Sequence, residues 1–175
     1  MSMHKARCLA AIAALAWGPA AADDAPALGE PLAAEEIAAV SFTILPDGSG
    51  LPPGSGSVAD GEAVYAQHCL ACHGAGGEGG PNDRLAGGRG SLDSAAPVKT
   101  VGSYWPYATT LFDYLRRAMP YTAPGTLSAD ELYAVTAYVL HLNGIVGADA
   151  VLDAERLPAI EMPNRNGFER AWPDQ

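Results

Sequence analysis

Two cysteines three positions apart with a histidine directly after the second, Cys69-Leu70-Ala71-Cys72-His73, constrain this chain more than any other feature. At the end of a helix that spacing sets both sulfurs on roughly one face. Two thiols so placed reach the two vinyl groups of a single haem, and the adjoining imidazole then lies under the iron. The pattern C-x-x-C-H is read as covalent haem c attachment, one haem held by Cys69 and Cys72 with His73 as axial ligand. Three other uses of the cysteines compete. A thioredoxin-like redox pair follows a strand in a βαβ pattern, whereas this pair follows a helical segment. A structural zinc site needs four ligands, and neither His68 nor His141 forms a second pair at comparable spacing. A simple disulfide between the two leaves His73 without a role.

The N-terminus reads as an export signal, residues 1–22. Lys5 and Arg7 give a positive start, Leu9 to Trp17 a short apolar run, Gly18-Pro19 a break, and Ala20-Ala21-Ala22 an A-x-A cleavage site. The competing reading is an uncleaved anchor, but the run is too short to span a bilayer. Cleavage near Ala22 places the mature protein in the periplasm, where haem c attachment takes place. It removes Cys8, leaving two of the three cysteines, and it removes two cations and no acid, so the formal charge moves from −10 to −12. A chain so acidic, with Lys99 its one remaining lysine, has no basic stripe for nucleic acid. Its partners should present neutral, apolar or basic surface. No later segment is long and apolar enough to cross a membrane.

Punctuation divides the rest. Residues 23–57 read as an extended N-terminal arm: a short helix from Glu30 to Val40, an extended stretch from Ser41 to Leu45, and a run from Pro46 to Ser57 too rich in Gly and Pro for an element interior. That arm is either a loose spacer or a strap lying across a partner. Residues 58–147 read as one compact all-α domain with three main helices: Gly61 to Cys69, Tyr107 to Ala118, and Ala129 to Leu142. Pro106 and Pro120 bracket the second. The third has a capping box, Ser128 with Glu131, an Asn143-Gly144 stop, and a stripe of Leu132, Val135, Val139 and Leu142 at helical spacing. The glycine-rich stretch from Gly74 to Gly102 is too long for a protein core to order by itself; a haem edge would give it something to wrap. Aromatic residues are only 7% of the chain, so a large flat cofactor supplies apolar interior that side chains lack. Residues 148–175 read as an irregular C-terminal tail whose Val151-Leu152 and Ile160 dock on the domain.

After cleavage the thioether candidates for a second axial ligand are Met119 and Met162. Met119 sits between two helices with Pro120 fixing the chain behind it, and is the preferred ligand; its alternative is a gap-filling core methionine. His68 should point away from the iron, and His141 reads as a half-exposed residue at a helix C-terminus. Tyr104, Trp105 and Tyr107 either line the haem or pack ordinarily. Arg116 and Arg117 either pair with a propionate or solvate the surface.

Across the compact domain the chain resembles class I cytochromes c. Gly61-Glu62-Ala63-Val64-Tyr65 is similar to the family's glycine-and-aromatic pair on the first helix. By that resemblance the glycine admits the last helix closely, and Tyr65 packs on Tyr138. Leu85-Ala86-Gly87-Gly88 resembles the loop flanking the haem on the histidine side, which makes Leu85 a haem contact. Many members carry a proline two residues before that leucine whose carbonyl orients the ligand histidine; here the position is Asp83 and the nearest proline is Pro81. A narrower likeness joins the arm (residues 47–57), the stretch 97–107 before the second helix, and the tail (residues 161–168). Together these resemble the first haem domain of the cytochrome subunit of sulfane dehydrogenases of the thiosulfate-oxidising Sox system.

The resemblance implies an electron-transfer subunit, not itself an enzyme, serving a molybdenum-containing sulfite-oxidase-type dehydrogenase. It would pass electrons to another cytochrome c or an oxidase. Two other functions remain open: a freely diffusing carrier serving a terminal oxidase, and a haem enzyme or gas sensor with an open iron site.

Overall fold

In a computed structural model of the protein, residues 29–169 and 171–172 are described. The expected export signal and Cys8 lie outside them. Among the described residues six helices and two short strands follow in order: α1 Ala34–Val40, β1 Ser55–Ser57, α2 Val58–His68, α3 Leu70–His73, α4 Val101–Tyr104, α5 Ala108–Ala118, α6 Ala129–Leu142 and β2 Val151–Asp153. None of the helices among the described residues is long and apolar enough to cross a membrane.

The local chemistry explains the boundaries. α6 has the bounds expected of the third helix: the Ser128 backbone N–H donates to the Glu131 carboxylate at 2.8 Å, and the Glu131 N–H donates back to the Ser128 hydroxyl at 3.3 Å. α2 begins earlier than the expected Gly61. The signal passed over there is a second cap, in which the Ser57 hydroxyl accepts from the Asp60 N–H at 3.1 Å. α5 ends where Pro120 follows Met119. α4 was not expected; Thr100 and Ser103 cap it reciprocally within the segment read as loop.

α2 crosses α6 at Gly61, where a Cβ would collide with the backbone carbonyl of Ala134, so no other residue permits this approach. Tyr65 packs on Tyr138 at the crossing, ring centroids 5.2 Å apart. The core gathers Tyr65, Leu111, Phe112, Leu132, Tyr133, Val135 and Leu140 around α5 and α6.

Three expectations change. The architecture is not purely helical: β1 and β2 pair antiparallel, with Gly56 opposite Leu152. This ribbon lies on α6 so closely that a Cβ at Gly56 would meet the Ala134 backbone, which is why a Gly/Ser-rich run forms a strand here. The arm is neither a loose spacer nor free to cross a partner along its whole length. Ile44 is buried (6% exposed), its N–H donates to Asp113 at 3.1 Å, and Pro52 accepts from the Tyr133 hydroxyl at 2.8 Å. The glycine-rich segment after His73 carries its own hydrogen-bond net. The Leu85 and Ala86 N–H groups both donate to the Gly77 carbonyl, Thr100 Oγ1 donates to Gly87 at 2.6 Å, and Asn143 Nδ2 reaches the Leu85 carbonyl at 3.1 Å. The tail docks as expected through Leu152 and Ile160, and more deeply through Leu157 and Met162.

Candidate functional site

α2 delivers its C-terminus to Cys69, and the single turn α3 carries Cys72 and His73 beside it. Both cysteines are free; burial pushes the Cys69 thiol up to about 11, with Cys72 adding to the rise. His73 Nδ1 lies 2.7 Å from the Asp83 backbone carbonyl. A carbonyl only accepts, so Nδ1 carries the proton and Nε2 keeps the lone pair a metal needs. The departure from the family's proline is thereby resolved: the orienting group is a main-chain oxygen, which aspartate supplies as well as proline.

These residues line a cleft of about 560 Å³. Leu85 and Trp105 contribute to it, Leu111, Leu115 and Met119 come from α5 and its end, and Val135 and Val139 come from α6. Met119 is half-buried and packed against the core. The α6 valines belong to the apolar stripe that marks this helix, so the same periodicity that signals a buried face also marks a cleft wall. Volume and lining suit a large apolar ligand. The donor set of two free thiols, one imidazole nitrogen and one thioether fits a haem c held by Cys69, Cys72, His73 and Met119.

Several expected site residues stand elsewhere. Met162, the second thioether candidate, is 1% exposed in the core and away from the cleft, so it is a packing residue. Tyr104 and Tyr107 do not line the cleft. The one turn of α4 sends Tyr104 toward the tail, where Phe168 meets it edge-on at 5.2 Å and Lys99 Nζ sits 5.1 Å from the ring centre, while Arg165 covers Tyr107 at 4.2 Å. Arg116 and Arg117 turn to the arm, both toward the Phe42 carbonyl, and Arg117 pairs with Asp113 at 2.8 Å. The cations that do line the cleft are Arg84 and Lys99, which no local pattern singled out. His68, expected to face away, also contributes to the lining. His141 is half-exposed, with Nδ1 3.2 Å from the Val146 carbonyl.

Residues 56–139 match the family model described as cytochrome c oxidase, cbb3-type, subunit III. A solved structure, the sulfane dehydrogenase SoxCD from Paracoccus pantotrophus, is similar with a TM-score of 0.77 and 48% identity, over 86% of this chain and 73% of that one. A thiosulfate dehydrogenase from Psychrobacter arcticus is 30% identical over 115 residues, 58% of this chain. The chain spans about a third (32%) of that curated relative's length. With a cytochrome model over residues 56–139 and 48% identity, across 86% of its length, to a chain of SoxCD, this protein belongs to the c-type cytochromes.

Proposed function

We propose that this chain is an exported, periplasmic cytochrome carrying one covalent haem c, and that it accepts electrons singly from a molybdenum-containing sulfite or sulfane dehydrogenase. The observation that carries the reading is the joining of Cys69, Cys72, His73 and Met119 in one apolar cleft, in a chain 48% identical to part of SoxCD.

When bound, the haem supplies a one-electron ferric/ferrous couple. The Asp83 carbonyl holds the His73 imidazole in the tautomer that presents Nε2. Met119 would hold the iron through a soft sulfur, which would favour the ferrous form. Leu111, Leu115, Val135 and Val139 keep water from the cleft interior, and Arg84 and Lys99 supply positive charge at its lining for propionates. In this reading the substrate is oxidised on the partner and electrons alone arrive here. They leave to a further cytochrome c or an oxidase.

The test is pull-down from native periplasm with mass identification of what is retained, followed by addition of sulfite and of thiosulfate. Co-isolation of a molybdoprotein and substrate-dependent reduction of the haem are expected. A chain recovered alone, reduced equally with or without either substrate, would leave the freely diffusing carrier as the better account.

A further inference from the structure

The two faces of α5 serve different neighbours. Leu111, Leu115 and Met119, spaced by four, line the cleft. Thr109, Asp113, Arg116 and Arg117, on the other side, take hold of the arm. The Thr109 hydroxyl donates to the Pro46 carbonyl at 3.4 Å, and the Asp113 carboxylate accepts from the Ile44 N–H at 3.1 Å. Arg117 donates twice to Asp113, at 2.8 and 3.0 Å, and once to the Phe42 carbonyl at 3.0 Å, with its guanidinium 5.0 Å from the Phe42 ring centre. Arg116 approaches the same carbonyl at 3.5 Å. Ile44 anchors the strand of contacts in the core.

The last turn of α5 is the one that most needs such contacts. Beyond Met119 the chain runs through turns to Ser128 without regular structure, and Tyr121 is 83% exposed. Helix ends bordered by open loops are where local opening is least costly. Arg116 and Arg117 lie in that turn, immediately before the sulfur-bearing residue.

We propose that residues Phe42–Pro46 act as a clamp on the outer face of α5, with Asp113 and Arg117 as positioning residues that hold Met119 on the iron. The proposal rests on Met119 being the second axial donor. Releasing the clamp leaves the haem attached and the core closed, but lets the final turn open and the thioether leave more often. A closed site would thereby become a partly open one through contacts that never touch the haem.

The experiment uses the mature holoprotein and carbon monoxide as the probe of the sixth position. Asp113→Ala and Arg117→Gln are expected to bind carbon monoxide in the ferrous state at least tenfold faster than the parent. Their red-region thioether absorption in the ferric state should weaken, at unchanged haem content. Arg117→Lys, which keeps one donor and the charge, should fall between. Tyr133→Phe is the control: it frees the arm at Pro52 while keeping every hydrogen bond of Asp113 and Arg117, and should leave the rate at the parent value. Rates for Asp113→Ala and Arg117→Gln equal to the parent's, with Met119→Ala fast, would overturn the clamp while keeping the ligand. A Tyr133→Phe rate raised as much as theirs would also overturn it, since general loosening would then explain the effect. A parent protein that already lacks the thioether band and binds as fast as Met119→Ala would remove the ligand assignment itself, and the clamp with it.

Discussion

His73 depends on a main-chain oxygen, and that makes its neighbour replaceable. Asp83→Ala leaves the carbonyl in place, so haem incorporation and the visible spectrum should be unchanged and stability should shift by no more than about 0.5 kcal/mol, checked by thermal melts of the holoprotein. Met119 has no such latitude. Met119→Ala removes the thioether, and the expected result is loss of the red-region ferric band with gain of carbon monoxide binding; an unchanged band would exclude Met119 as the ligand. The tyrosines give a pH dependence. Burial holds Tyr65 up to about 12, and burial holds Tyr133 up to about 12 with Asp153 adding. Both favour the protonated form in the folded state, so their contribution is full below the ordinary tyrosine value of about 10 and is lost as pH rises toward 12. Chemical denaturation across that window should show falling stability. Tyr133→Phe should flatten the fall and lower stability at neutral pH by about 1 kcal/mol, because its hydroxyl no longer donates to the Pro52 carbonyl.

At the scale of elements, α2 and α6 form the most demanding contact. A side chain at Gly61 must displace the Ala134 carbonyl, a backbone group that cannot rotate aside. Gly61→Val should therefore cost about 3 kcal/mol or more, at the upper end for overpacking, in equilibrium denaturation. Ser128→Ala opens only the first turn of α6 and should cost about 1 kcal/mol. The contrast separates a crossing that defines the fold from a cap that trims it. The bounds of α6 were readable because a cap, a stripe and a stop agree locally. α4 was not, since its four residues hold no periodicity and depend on Thr100 and Ser103 meeting within a longer net.

At the scale of the whole molecule, the cleft is built from the attachment turn, α5 and α6 together, so its walls come from segments far apart in the sequence. The double variant Cys69→Ala/Cys72→Ala, produced without covalent haem, should keep much of its far-UV helical signal and lose near-UV fine structure. A native-like near-UV spectrum would show that the walls close without the cofactor. By itself the sequence determined the attachment motif, because it is written in a spacing of five residues, and offered Met119 as a candidate ligand, while the resemblance to class I cytochromes c pointed to the close crossing at Gly61 and to an orienting acceptor near Leu85. Only the tertiary structure decided that the arm wraps its own domain, that Arg116 and Arg117 serve that arm while Arg84 and Lys99 line the cleft, that Tyr104 and Tyr107 face the tail, and that Ser55–Ser57 pairs with Val151–Asp153. Those contacts join residues tens of positions apart, and no local pattern of charge or hydrophobicity says which of several chemically equivalent partners the closed chain will bring within reach.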